Sequence, residues 1–299
     1  MNGGAAPRRC IVCGIPPRTS FRLADGVRLL RCPRCELGWW DWPAFEPSAF
    51  YDRDYFQSER VARGYDDYAS LEAGLRRTAR ARLHRLARLM RARGRNITEP
   101  RRLLDIGCGT GVFLDEARRA GWTVRGLEVS PYAAAEADRR DLFVTCAAVE
   151  QVELEPVAFD VVTLWDVLEH LRDPVAVLRR VAGALRPGGV LALSTGDVTS
   201  LCARLSGVRW HLFNLPEHLF FFSPRCLVRL LRRVGCRVCR MGREVNWVPA
   251  AYVLERVRKS LGWPARWSRW AGGWVLPATV FDVLGVYAIR TGEAARGAP

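Results

Sequence analysis

Lysine is almost missing from this chain: Lys+Arg total 46, and Lys259 is the sole lysine. The net charge of +15 therefore reads as an arginine-biased composition before it reads as a surface built for a polyanion. No compact basic run interleaves with aromatics, as single-stranded nucleic acid binders require. The densest arginine stretch, residues 76–95, has helical spacing and is expected to be a solvated helix face. No apolar leader-like run follows Met1, which predicts a cytoplasmic protein. In that setting the ten cysteines are thiols or metal ligands rather than disulfides. Internal repeats are absent. Residues 271–289 are apolar, but Pro277 and Asp282 interrupt them, which leaves them short of a membrane span.

A hydrophobic content of 49% suffices for a large core and excludes general disorder. Three regions differ in composition. Residues 1–42 carry two CxxC pairs and end in Trp39, Trp40 and Trp42. Residues 43–99 are rich in Tyr, Phe and Asp, then become one amphipathic helix over 71–94, with Leu75, Leu83, Leu86, Leu89 and Met90 on its apolar face. This region is expected to be a helical lid or linker, with Tyr51, Tyr55 and Tyr65 available to close over a ligand. Residues 100–299 alternate short apolar runs with helical segments, such as 112–120, 131–140, 174–185 and 224–234. That alternation predicts a parallel, doubly wound α/β sheet.

The segment "RRLLDIGCGTGVFLDEA", residues 101–117, places Gly107, Gly109 and Gly111 between a strand and a helix. A P-loop reading fails because it needs a lysine. A dinucleotide fingerprint would put Val112 at its third glycine, where a branched side chain obstructs helix–strand packing. Asp105, at the strand end, repels a pyrophosphate and attracts an ammonium group. S-adenosylmethionine carries such an ammonium and no phosphate. Glu128, at the end of the next strand, is placed to accept hydrogen bonds from two ribose hydroxyls.

At these residues the chain resembles the class I S-adenosylmethionine-dependent methyltransferases, in their bacterial small-molecule type. "LLDIGCGTG", "GLEVS", "FDVVTLWDVLEHLRDP" and "LRPGGVLALST" follow that family's order and spacing. The resemblance implies a Rossmann-like seven-stranded sheet in order 3-2-1-4-5-7-6, with the last strand antiparallel. It implies that Asp105 sits near the methionine amine and that Gly107, Cys108, Gly109 and Gly111 pass beneath the ligand. Glu128 would bind ribose and Val129 would pack on adenine. Ala148 and Val149 would stand at the adenine amino group, where the family usually offers a polar residue. Trp165 and Asp166 would face the methionine moiety.

The sulfonium is a good leaving group, so positioning dominates the transfer, and a base is needed only if the acceptor loses a proton. Of four histidines, His170 and His218 fall in loops beside the expected methyl position and are the catalytic candidates; a loop-organising hydrogen bond is the plain alternative for each. His84 reads as helix surface. Cys10, Cys13, Cys32 and Cys35, spaced x2, x18 and x2, fit a closed tetrahedral zinc site and hence a small N-terminal ribbon with structural zinc. Cys236 and Cys239 fall on a strand and point to opposite faces, so they are no metal pair. Trp247, Trp263, Trp267, Trp270 and Trp274 alternate with arginines across an insertion at 246–278. It suits a cap over the acceptor, a peripheral membrane contact or a dimer face.

Three functions stay open: methyl transfer to oxygen, nitrogen or carbon of a small-molecule acceptor; RNA methylation using the ribbon and positive charge; and a cofactor-binding pseudoenzyme. "WDVLEH" stands where many nucleic-acid amino methyltransferases carry [ND]-P-P-[YF], which favours the first.

Overall fold

A computed structural model describes residues 6–22, 26–42, 71–92, 101–250, 274–278 and 282–291. Tyr51, Tyr55, Tyr65, Trp263, Trp267 and Trp270 lie outside them, and so does the lid expected of residues 43–70.

The N-terminal strands β1 (Arg18–Arg22), β2 (Arg28–Arg31) and β3 (Gly38–Trp40) precede a long helix, α1 (Glu72–Arg91). Alternation then begins: β4 (Arg101–Ile106), α2 (Val112–Arg119), β5 (Trp122–Glu128), α3 (Pro131–Asp138), β6 (Val144–Cys146), β7 (Phe159–Trp165), α4 (Pro174–Ala184) and β8 (Leu185–Gly196). The chain continues through α5 (Leu201–Ser206), β9 (Phe220–Phe221), α6 (Pro224–Arg233), β10 (Cys236–Arg243), β11 (Asn246–Pro249), β12 (Val275–Ala278) and β13 (Val283–Arg290). Seven strands form the main sheet in order β10-β13-β8-β7-β4-β5-β6. Pairing is parallel from β8 to β6, while β13 runs antiparallel to both β8 and β10.

Local chemistry explains the elements. All seven residues of β7 are buried, the signature of a central strand covered on both faces. Helices α3, α4 and α6 each start with proline after a Ser or Asp whose side chain accepts a backbone N–H: Ser130 from Ala133, Asp173 from Ala176 and Ser223 from Cys226.

Helix α1 corrects one expectation. Its Leu83, Leu86 and Met90 are buried with Phe113, Leu114, Trp165 and Tyr287, so the helix is part of the layer that covers the sheet. Its arginines are only in part a solvated face: Arg77, Arg80, Arg88 and Arg91 are exposed, whereas Arg82 is buried and Arg76 and Arg85 are half-buried. Arg76 reaches Asp115 at 2.8 Å and Glu116 at 2.7 Å, and Arg80 reaches Glu116 at 2.7 Å. Arg82 and Arg85 hold buried Glu244 at 3.1 and 2.7 Å. The reason is partner geometry: α1 crosses the acidic start of α2, and amphipathicity within one helix does not reveal an acidic neighbour. His84 is exposed, as its place on the helix predicts.

The β11–β12 ribbon rests on α1. A side chain at Gly74 would collide with the Trp247 carbonyl oxygen. Thr78 Oγ1 accepts the Trp247 N–H at 2.8 Å, and Arg77 stacks on the Trp247 ring. Residues 251–273, between the two strands, lie outside the described set. Among the described residues no helix is long and apolar enough to cross a membrane.

The N-terminal strands join the rest through β9. β3 pairs antiparallel with it, giving a second sheet β1-β2-β3-β9. Ser223 Oγ donates to the Cys35 carbonyl at 2.6 Å, and Trp40 Nε1 donates to the His218 carbonyl at 3.0 Å.

Candidate active site

The candidate residues collect at the carboxyl ends of β4, β5 and β7, where an open α/β sheet forms its crevice. Past Ile106 the loop turns through left-handed backbone at Gly107 (φ 69°), Gly109 (φ 55°) and Gly111 (φ 79°), which glycine adopts without steric cost. The N–H groups of Gly107 and Cys108 donate to the Leu127 carbonyl at 2.8 and 3.1 Å and tie the loop to β5. A Cβ at Gly107 would strike Val167, and one at Gly111 would strike Leu142. Cys108 is buried against Gly126, so it offers this loop its backbone only, and burial pushes its thiol well above the usual range.

Glu128 is held from two sides: Gly109 N–H donates to Oε2 at 2.8 Å and Ser130 N–H to Oε1 at 2.9 Å. Burial raises its pKa and these N–H groups oppose the rise. Asp105 is 2% exposed and accepts the Thr163 hydroxyl at 2.5 Å. Burial pushes its pKa up to about 7. Among the described residues it has no ion-pair partner. Val129 is half-buried beside Glu128. The Ala147 N–H bonds the Glu128 carbonyl at 2.9 Å, which brings Ala148 alongside. Val149 turns its side chain into the core, and its carbonyl accepts from Arg180.

At the end of β7, Trp165 packs edge-on against Phe113 and Tyr287, with the Arg82 guanidinium 4.2 Å above its ring. Asp166 adopts φ 56°, an uncommon conformation for a residue with a side chain. Ser194 fixes it, donating from Oγ to Oδ1 at 2.8 Å and accepting the Asp166 N–H at 3.0 Å.

The two histidine candidates meet, with ring centroids 4.7 Å apart. Nδ1 of His170 lies 3.1 Å from the Glu217 carbonyl, and Nδ1 of His218 lies 2.9 Å from the Leu212 carbonyl. A carbonyl only accepts, so each Nδ1 carries the proton and each Nε2 keeps its lone pair. Burial moves His170 down to about 3 and lowers His218 as well. Glu169 comes within 4.8 Å of both. Burial, with the Asp166 charge adding to it, pushes Glu169 up to about 8, and its Oε2 has no hydrogen-bond partner among the described residues. Glu169, His218, Thr195 and Trp210 line one small cavity.

Sequence reasoning missed two of these residues. Glu169 adjoins His170 in "LEH", and its place in the loop after a central strand is a usable signal. Arg82 has none, because only the packing of α1 brings it here.

The family model described as "Methyltransferase domain" matches residues 72–240. The chain belongs to the methyltransferase-domain family. It is a class I S-adenosylmethionine-dependent methyltransferase. The ubiquinone biosynthesis O-methyltransferase of Paracidovorax citrulli is 39% identical to it over 170 residues, which is 52% of this chain and 71% of the relative. The protein of that name from Ralstonia nicotianae is 31% identical over 168 residues, again 52% and 71%. The crystal structure of magnesium protoporphyrin IX methyltransferase from Synechocystis PCC 6803 superposes with a TM-score of 0.51 at 17% identity, covering 80% of this chain and 97% of that one. That likeness concerns the fold. The match begins at 72, so the methyltransferase takes in α1 as well as the alternating strands and helices.

The four N-terminal cysteines also come together, all Sγ atoms lying within 4.8 Å of one another. Cys10 and Cys35 sulfurs are 3.6 Å apart, near the roughly 3.8 Å that zinc–thiolate bonds impose in a tetrahedron. Cys13 N–H points at Cys10 Sγ (3.3 Å) and Cys35 N–H at Cys32 Sγ (3.5 Å). Cys226, buried in the first turn of α6, shares a hydrogen bond with Cys35. Cys236 is buried, and Cys239 is exposed at the point where β10 shifts register against β13.

Proposed function

We propose that this methyltransferase methylates a hydroxyl of a small-molecule acceptor, with Glu169, His170 and His218 forming the acceptor wall. The observation that carries this reading is the contact between two half-buried imidazoles and a buried carboxyl beside Asp166. Such a wall receives a hydroxyl and its proton and has little to offer a phosphate backbone. The names of the ubiquinone biosynthesis O-methyltransferase relatives point the same way.

S-adenosylmethionine, when bound, supplies a methyl group on a sulfonium that needs no further activation. The donor set fits it. Asp105 is a buried carboxylate suited to an ammonium group, and Glu128, already oriented by two N–H groups, has lone pairs left for ribose hydroxyls. Gly107, Cys108, Gly109 and Gly111 floor the site with backbone, and Val129 and Ala148 flank the adenine. Trp165 and Asp166 border the methionine end, where Arg82 can meet the carboxylate. Val149 belongs to the supporting core. On the acceptor side, His218 Nε2 takes the hydroxyl proton as oxygen attacks, and His170 fixes the ring of His218 edge-on. The four cysteines hold structural zinc, a closed site with no open position.

Calorimetry with S-adenosylhomocysteine tests the site. Asp105→Ala and Glu128→Ala should each weaken binding tenfold or more, the scale of a lost charged hydrogen bond; unchanged affinity in both refutes it. Methyl transfer to phenolic acceptors that is lost in His218→Ala, with homocysteine-product affinity intact, supports the acceptor wall. RNA affinity that falls steeply with salt, together with methyl transfer to RNA, would overturn it.

A further inference from the structure

A second cluster of ligating side chains lies outside the site just described. We propose that Cys202, His211 and Asp282 bind a borderline-soft divalent cation of the Zn²⁺ type, with one coordination position open to solvent. The three come from separate elements: Cys202 from α5, His211 from the loop before β9, and Asp282 from the residue before β13. One ligand atom of each lies within 4.8 Å of the other two.

Three observations favour a metal over a simple ion pair. First, Asp282 is 0% exposed, yet its Oδ1 has no hydrogen-bond partner among the described residues. A buried carboxylate oxygen left unsatisfied is costly, and a cation removes the cost. Second, His211 Nε2 stands 3.5 Å from Asp282 Oδ2. That is long for a charged hydrogen bond, so the imidazole does not satisfy the carboxylate, and Oδ1 is left to a cation. Third, Asp282 is held at both its side chain and its backbone, as metal ligands are. Trp210 Nε1 donates to Oδ2 at 2.8 Å, and the Asp197 N–H donates to the Asp282 carbonyl at 2.6 Å.

The donor set selects the ion. Thiolate plus imidazole plus one carboxylate suits Zn²⁺ and disfavours Mg²⁺ and Ca²⁺, which take oxygen. The His211 side chain is 51% exposed, which supplies an entry path. Binding requires the Cys202 thiol to give its proton to solvent. Trp210 also lines the cavity with Glu169 and His218, so a cation here stiffens the back of the acceptor wall.

The test is metal counting on the full chain. Purified protein is dialysed against a small excess of Zn²⁺, or of Co²⁺ as a spectroscopic probe, and the bound metal is measured. Wild type should hold one equivalent more than the double variant Cys202→Ser/His211→Ala, whatever the four-cysteine cluster holds. Each single variant should weaken that equivalent at least tenfold. Cys202→Ser should also lose one thiolate-to-Co²⁺ charge-transfer contribution. Trp210→Phe should weaken the same equivalent about tenfold, the scale of a lost supporting hydrogen bond. Equal metal content in wild type and double variant overturns the proposal, and so does a cobalt spectrum that Cys202→Ser leaves unchanged.

Discussion

Asp105 shows how a single residue carries both the cost and the use of this fold. In the unfolded chain its carboxyl ionises near 3.8, and in the folded chain burial holds the proton to about 7. Between those values the folded state binds the extra proton, so stability falls as pH rises through the window. The thermal midpoint of wild type is expected to fall from pH 4 to 7 relative to Asp105→Asn; parallel curves would contradict this. An ammonium ligand favours the ionised form. S-adenosylhomocysteine binding at pH 6 should therefore release a proton, read as a dependence of calorimetric enthalpy on buffer ionisation. At the acceptor wall the signs differ. Burial lowers His218 from 6.5, and Glu169, raised to about 8, stays protonated below that. The rate–pH profile should lack a limb at 6.5 and bend near 8, and Glu169→Gln should remove the bend. A limb centred on 6.5 would mean that His218 is not held as described.

At the scale of elements, α1 and the N-terminal strands matter most. Leu86 is fully buried between α1 and the sheet. Leu86→Ala is expected to cost about 2–5 kcal/mol in denaturant unfolding, because a cavity adds to the lost burial. Glu116 accepts from both Arg76 and Arg80, so Glu116→Gln should loosen α1 and raise its amide exchange ahead of β7. The four-cysteine cluster is tied to the acceptor wall by the β3–β9 ladder and by the Trp40 indole on the His218 carbonyl. Chelation with a thiol-competent chelator should therefore raise KM for the acceptor while S-adenosylhomocysteine affinity holds. Loss of both together would mean that the cluster supports the whole fold.

Over the whole molecule, the parts were legible where chemistry is local. Glycine spacing, the cap at Ser130, the apolar run of β7 and the CxxC pairs each specify their own neighbourhood within a few residues. So the proximity of Asp105, the glycine loop and Glu128 could be read from order along the chain: they end consecutive strands, and these parallel strands lie side by side. The acceptor side was half legible. His170 follows a strand end directly, but His218 reaches it only because the loop before β9 folds back, and Glu169 was passed over beside it. Arg82, Glu244, Trp40 and the trio of Cys202, His211 and Asp282 were invisible. Most of their partners lie far along the chain, as Arg82 and Glu244 do with a separation of 162 and Trp40 and His218 with 178.

By itself the sequence determined the alternation of strands and helices, the chemical class of the cofactor loop and the pairing of cysteines, since these depend on periodicity and near-neighbour spacing. Tertiary structure alone decided which arginines meet carboxylates, which histidines meet each other, and that the N-terminal strands pack beside His218. Those contacts depend on how finished elements cross, and side-chain order along a chain holds no measure of crossing.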